Sequence, residues 1–241
     1  MKKNLKDMAS VIYLIPCVLA EDATQTIPAY IVDAVKDCQV IFAENERTAR
    51  RFFKSIWKEM DIDSCEWFTI HKTEDEQINH FKQKIKEGKN IAIISEAGCP
   101  GIADPGQVLI NIAQQLNVKI KPLVGPSSIL LALMASGMNG QQFEFVGYLP
   151  IDNGEKIKAI KNLELSSAKN NSTKIFIETP YRNNQLIETI LKTCNANTQF
   201  CIAVDITAAT ENISTKTIEQ WKKQQPDIHK RPAIFLLYCH G

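Results

Sequence analysis

Three segments of this chain combine small residues, proline and polar groups at spacings that suit holding a ligand against backbone. The first is SEAGCPGIADPG, residues 95–106. Ala97, Gly98, Gly101 and Ala103 keep side chains out of the way, so a flat ligand can reach amides and carbonyls. Asp104 suits a helix N-cap and Pro105 the first helical position. A tight strand-to-helix turn with no ligand is the competing reading. The second segment, GPSS at 125–128, places Ser127 and Ser128 in a first helical turn, where N–H groups lack partners and a hydroxyl can either cap or meet a ligand. In the third, ETPYR at 178–182, Thr179 and Pro180 repeat the cap-and-proline device. Glu178, Tyr181 and Arg182 there add acidic, aromatic and cationic groups, with a structural Glu178–Arg182 ion pair as the alternative.

Other reactive residue types are more dispersed. Glu44, Glu46 and Asp22 follow the first two expected strands and read either as proton acceptors or as surface and capping acids. Arg47, Arg50, Arg51, Lys54 and Lys58 lie on adjacent faces of one helix, able to grip phosphates or simply to face solvent, with two phenylalanines and Trp57 as its buried side. His71, His80, His229 and His240 do not cluster and receive no catalytic role. Trp67, Phe68 and Tyr148 read as core or domain-interface residues more readily than as stacking platforms. The seven cysteines form no C-x-x-C pair and have no histidine at metal-ligand spacing, so they are read as reduced thiols and no metal is expected. G-x-G-x-x-G, G-x-x-x-x-G-K-[ST] and G-x-S-x-G are all absent, which argues against dinucleotide oxidoreductases, P-loop nucleotidases and α/β-hydrolases.

These segments need strands to deliver them. Apolar or β-branched runs recur at 11–16, 39–43, 91–95, 118–124, 143–149, 174–178, 199–204 and 233–238, several without polar alternation, as in strands buried on both faces. Amphipathic stretches of helical length separate most of them, so the expected class is α/β with parallel strands. All three small-residue segments then sit at the carboxyl ends of strands, where ligands of open α/β sheets bind. The 151–172 stretch is expected to carry one surface helix with its approach loop. The 241 residues, 44% apolar and 23% charged, suit two domains, placed at 1–124 and 125–241. A net charge of +1 argues against a uniformly basic nucleic-acid binder but leaves room for one basic face. No apolar run is long enough for a membrane span or a signal peptide, which points to a cytoplasmic protein without membrane contact.

Five segments, taken in order, resemble the tetrapyrrole methylase superfamily and, within it, the branch that methylates a ribose 2′-oxygen of small-subunit (16S) ribosomal RNA. SEAGCPGIADPG resembles S-D-A-G-T-P-x-x-S-D-P-G, AENERTARRF resembles E-D-T-R-x-T-x-x-L, and VGPSSILLALMASG resembles P-G-A-S-A-x-x-x-A-L-x-x-S-G. FEFVGYLP is similar to F-x-F-x-G-F-L-P, and IFIETPYR to F-Y-E-S-P-x-R. The resemblance implies two α/β domains, the first with a mainly parallel and the second with a mixed sheet, in a homodimer that binds S-adenosylmethionine between the domains. It implies donor contacts from Cys99, Pro100, Gly101, Ile102, Ala103 and Asp104, from Ser127 and Ser128, and from Ile177, Val204 and Ala233. Arg47, Tyr148, Tyr181 and Arg182 become candidates for binding the acceptor, ribosomal RNA or the small subunit, and Glu44, Glu46 and Asp22 for accepting the ribose proton.

The chain also departs from that branch. Where the branch has P-I-G-N-L-x-D, a glycine loop facing the reacting methyl group, this chain reads IPCVLAEDATQTIP; A-R-E-L-T becomes AVDIT at 203–207; and a longer tail is absent. Three alternatives therefore stay open: a methyltransferase for a tetrapyrrole or other small acceptor, a non-catalytic binder of S-adenosylmethionine, and a hydrolase using Ser127.

Overall fold

The computed structural model describes residues 10–70 and 74–239, the side chains of 74 and 75 excepted; His71 and His240 lie outside the described residues. The chain forms two compact units that divide between Pro126 and Ser127.

The first unit is built on β1 (Val11–Ile15), β2 (Val40–Ala43), β3 (Glu66–Thr69), β4 (Ile91–Ile94) and β5 (Lys119–Pro122). They form one sheet in the order β3-β2-β4-β1-β5, every pair parallel. The strands VIFA and IAII are buried at every position, so their lack of alternation reflects cover on both faces. Period two sends Tyr13, Ile15, Ile41 and Ile94 to one face, against α1 (Ile31–Lys36) and α2 (Glu46–Ile56). Ile12, Phe42, Ile91 and Ile93 point to the other, against α3 (Glu74–Lys86) and α4 (Gln107–Gln115). Because every pair is parallel, the loops after β1, β2, β4 and β5 all leave from one edge of the sheet.

The second unit contains β6 (Phe143–Tyr148), β7 (Thr173–Ile177), β8 (Gln199–Val204), β9 (Asn212–Thr217) and β10 (Ala233–Tyr238), ordered β6-β7-β10-β8-β9. β6 and β7 are parallel and the remaining pairs antiparallel, so this sheet is mixed, as expected. One face carries Phe176, Phe200, Ile202 and Phe235 against α6 (Asn153–Asn170), α7 (Asn183–Thr193) and α8 (Ile218–Lys223). α5 (Ser128–Ser136) contacts β9 and β10. Among the described residues no helix is long and apolar enough to cross a membrane.

Three elements were not legible from apolar runs: β3, β9 and α8. Both strands lie at sheet edges and are only partly buried, so polar residues alternate into them, as in NISTKT. α6 also differs from a simple surface helix. Lys156, Ile160, Glu164 and Ser167 form a buried line along it. Glu164 explains its own burial by accepting hydrogen bonds from Asn195 N–H at 2.8 Å, Asn195 Nδ2 at 3.0 Å and the Thr198 hydroxyl.

Candidate functional site

The Ser95–Gly106 segment leaves the carboxyl end of β4 as a turn organised by Asp104. Its carboxylate accepts from Gly101 N–H (2.9 and 3.0 Å to the two oxygens) and from Gly106 N–H at 2.7 Å. Asp104 is therefore not the N-cap of α4. The helix starts at Gln107 with Gly106 as its N-cap, and the carboxylate closes the loop ahead of it instead. Burial pushes the Asp104 carboxyl up from its ordinary range, against the opposing pull of the Gly101 and Gly106 N–H groups and the Ser95 hydroxyl. Gly101 adopts φ +81°, and a Cβ there would stand 2.7 Å from Ile110 Cδ1. Ile102 and Ala103 are exposed on this turn, Ala103 itself with φ +61°. Cys99 turns inward, its thiol 3.5 Å from the Pro126 carbonyl.

The loop after β1 is stitched to this turn. Cys17 and Gly98 form an isolated antiparallel bridge, with Cys17 N–H donating to Gly98 O at 2.8 Å and Gly98 N–H returning to Cys17 O at 3.2 Å. The Leu19 side chain lies where a Cβ on Gly98 would meet it at 3.4 Å, and Pro16 fills the space beside Gly125, whose Cβ would come within 2.1 Å of Pro16 Cβ. Cys17 is 1% exposed and its thiol is pushed up to about 11 by burial, which makes it a packing residue at neutral pH. Loops 16–19, 95–106 and 123–126 thus form one hydrogen-bonded and packed edge.

Of the three acids, only Glu44 belongs to this edge. Its N–H donates to Ile94 O at 3.0 Å and its Oε2 accepts from Glu96 N–H at 2.9 Å. It is half-buried, and burial pushes its carboxyl upward, helped by the negative charges of Asp104 and Glu96 and opposed by the Glu96 N–H. Glu46 is engaged elsewhere, at 2.8 Å from Arg50 Nε; that guanidinium also pairs with Asp63 at 3.1 Å and stacks 4.6 Å from the Trp67 ring centroid. Asp22 is exposed on a turn. Within the basic helix, Lys54 Nζ bonds the Lys58 and Met60 carbonyls, Arg51 stands 3.7 Å from Glu21, and Arg47 is exposed. Phe52 and Phe53 form its buried side, with Trp57 partly buried.

In the second unit, register gathers the remaining candidates at one end of the sheet. Ile177 pairs with Ile234 and with Tyr148, and Val204 pairs with Ala233. Glu178 follows β7 and is 5% exposed. Its Oε1 accepts from Thr179 N–H at 2.7 Å and from Arg182 Nε and Nη2 at 3.0 and 2.7 Å. The Glu178–Arg182 ion pair is thus formed, which commits two guanidinium nitrogens to structure. Lys156, fully buried on α6, stands 3.7 Å from Glu178 Oε2. Tyr181 is 70% exposed, with the His229 ring edge-on at 6.2 Å and the Lys230 ammonium 5.7 Å from its centroid. Lys230 N–H donates to Pro180 O at 3.0 Å, which joins the two loops. In the AVDIT segment, Asp205 (φ +49°) accepts from Arg231 Nε at 2.9 Å, and Nη2 of the same guanidinium, 2.7 Å from that carboxylate oxygen, donates to Thr210 O at 2.9 Å. Ser127 is the N-cap of α5 by conformation, without a capping side-chain hydrogen bond among the described residues, and Ser128 opens the helix.

Lys156, Lys230, Cys17 and Leu19 were not singled out as site residues from the sequence. Lys156 and Cys17 lie far along the chain from the groups they meet. Lys230 carries the one available signal, a His-Lys-Arg run just before a strand. Among the described residues no group of three or more His, Cys, Asp or Glu could hold a metal ion.

The family model for Tetrapyrrole (Corrin/Porphyrin) Methylases matches residues 23–222. The chain is 28% identical over 245 residues to the ribosomal RNA small subunit methyltransferase I of Vibrio cholerae serotype O1, covering 99% of this chain and 80% of that protein. It is 32% identical over 183 residues to the protein of that name from Bacillus subtilis, covering 76% of this chain and 59% of that one. In fold it is similar to the crystal structure of the methyltransferase CobJ, with TM-score 0.62 and 16% identity over 95% of this chain and 94% of that chain.

Proposed function

This chain belongs to the tetrapyrrole (corrin/porphyrin) methylase family and is an S-adenosylmethionine-dependent methyltransferase, and we propose that its acceptor is a ribose 2′-hydroxyl of small-subunit ribosomal RNA, methylated in the cytoplasm. The likeness to a ribosomal RNA small subunit methyltransferase along 99% of the chain is what chiefly supports an RNA acceptor. The donor supplies a methyl group already activated on a sulfonium, so the protein mainly has to position the acceptor and take its proton. In the step proposed, the acceptor oxygen forms a C–O bond to the methyl carbon as the C–S bond breaks with its electron pair left on sulfur. The hydroxyl proton passes to Glu44, the one candidate acid held at the loop edge and raised toward useful basicity. Glu46, tied to Arg50, and Asp22, exposed on its turn, are set aside for this role.

The turn at Cys99–Asp104 suits the donor through backbone. Asp104 uses both carboxylate oxygens to shape the loop, leaving Pro100, Gly101, Ile102 and Ala103 to present main-chain groups. A donor-contacting role is also proposed for Ser127 and Ser128 and for the Ile177, Val204 and Ala233 edge of the second unit. For RNA, Tyr181 offers an exposed ring framed by Lys230 and His229, Tyr148 is 60% exposed, and Arg47 and Arg182 add positive charge.

Incubation with labelled donor and small ribosomal subunits is expected to place methyl groups in RNA, with binding that weakens steeply as salt rises through counterion release. Tyr181→Ala should lower RNA affinity roughly tenfold, as loss of one stacked base does, while calorimetric donor binding stays unchanged. Absence of label in RNA at every stage of subunit maturation would remove the RNA acceptor, and absence of donor binding would remove the role of the turn.

A homodimer is proposed from α5. Its sequence SILLALMAS is apolar on nearly every side, yet Leu130 and Met134 are 52% and 79% exposed, and a helix apolar all round needs cover. A second copy is the proposed cover, so sedimentation should give the dimer mass; a monomer at micromolar concentration would reject it.

A further inference from the structure

The loop that follows β1 builds a cavity wall in the first unit. Cys17 to Glu21 form one wall of a cavity of about 370 Å³ in the first unit; the other walls are α2 and residues Glu96 and Ala97. Thr48, Arg51, Phe52 and Ser55 contribute from α2 at positions i, i+3, i+4 and i+7, a single stripe of that helix. The proposed base is one hydrogen bond away from this cavity: the Glu44 carboxylate accepts from the N–H of Glu96, a lining residue, at 2.9 Å.

We infer that this cavity receives the acceptor nucleotide of a single-stranded RNA, and that Val18 and Leu19, on its Cys17–Glu21 wall, are specificity-determining contacts. The inference rests on the RNA reading above. Volume and charge both favour one nucleotide. Ligand pockets run from roughly 300 to 1,000 Å³, and this one lies at the small end, suited to one base with its ribose and too small for a tetrapyrrole macrocycle. Its charged lining is one cation and two acids. Arg51 is 62% exposed and meets Glu21, 92% exposed, at only 3.7 Å, a solvated contact that a phosphate can displace. Glu21 and Glu96 accept hydrogen bonds from amino and hydroxyl hydrogens, which a nucleoside has, and would repel a macrocycle bearing several carboxylates. Val18, Leu19 and Phe52 give apolar contact to a base removed from its stack, the state in which enzymes reach a single nucleotide. The Cys17–Gly98 bridge fixes this wall to the proposed donor turn, so the acceptor would be held against the loop that presents the methyl group.

The test fills the cavity from the α2 side without altering the donor turn. Thr48→Phe and Ser55→Phe, assayed with labelled donor on small ribosomal subunits, are expected to lose roughly 30-fold in kcat/KM, the equivalent of about 2 kcal/mol of lost base contact. Donor affinity by calorimetry is expected to stay within twofold, which also verifies that each variant is folded. Arg51→Ala is expected to raise KM and to flatten the salt dependence by about one phosphate contact. Wild-type transfer to RNA that both filling variants retain within threefold would overturn the pocket while leaving the RNA reading intact. Failure of the wild-type protein to methylate RNA at all would overturn the RNA reading and the pocket with it.

Discussion

Glu178→Ala is expected to lower the stability of the second unit by about 3–5 kcal/mol, the usual cost of removing one partner from a buried ion pair. The reason lies in what the alanine leaves behind. Lys156 is 2% exposed and, among the described residues, forms an ion pair only with Glu178, so the substitution strands an ammonium among α6, α7 and the sheet. Thr179 N–H loses its 2.7 Å acceptor at the same time, and Arg182 loses the group that holds two of its nitrogens. The mirror substitution should be far milder. Lys156→Met removes the buried charge while keeping most of the apolar stem, and Glu178 still has Arg182 and the Thr179 N–H, so a cost of about 1 kcal/mol or less is expected. Urea unfolding followed by Trp221 fluorescence, with Trp57 and Trp67 replaced by phenylalanine, isolates this unit. Equal losses from the two substitutions would mean that the pair acts symmetrically and that the stranded charge is not the dominant cost.

That asymmetry also marks where sequence reasoning stops. Glu178 and Arg182 are four residues apart, and their pairing can be read from spacing. Lys156 lies on α6, 22 residues before Glu178 in the sequence, and only the packing of α6 onto β7 and β10 brings it under the carboxylate. The same contrast holds in the first unit. VIFA and IAII declare themselves as central strands because burial on both faces removes every polar position, whereas EWFT, at the sheet edge, carries no such mark. The small residues of SEAGCPGIADPG reveal a backbone-lined turn, but the role of Asp104 was misplaced by one device. A carboxylate two residues before a glycine can cap a helix or close a loop, and the reach of Asp104 back to Gly101 decides for the loop. Cys17 and Gly98 are 81 positions apart and meet through backbone alone, so no side-chain pattern announces them. What was legible is therefore local chemistry and repetitive burial; what was not is contact set by the crossing of distant loops.

Glu44→Gln is expected to reduce kcat for methyl transfer by at least about 100-fold, at the lower end of what a positioned general base contributes. Donor affinity should be unchanged, since the carboxylate faces Glu96 N–H and an amide oxygen can accept that same hydrogen bond. The pH dependence separates a catalytic role from a structural one. A base must be ionised to act, so wild-type kcat should rise with pH through the upward-shifted Glu44 pKa and then level off, and the glutamine variant should lack that limb. Stability should respond in the opposite sense. Burial raises the folded-state pKa above the ordinary value of 4.5, so the fold binds the proton more tightly than the unfolded chain does. That contribution is fully present below 4.5 and is lost as pH rises through the folded value. At neutral pH the ionised carboxylate is thus a cost to the fold, increased by the neighbouring charges of Asp104 and Glu96. Glutamine removes that cost, and the variant should be as stable as the wild type or more so while being nearly inactive, the trade expected where a site is shaped for chemistry. A Glu44→Gln protein that is both less stable and only modestly slower would instead assign the carboxylate to holding the loop, with the acceptor proton leaving to solvent.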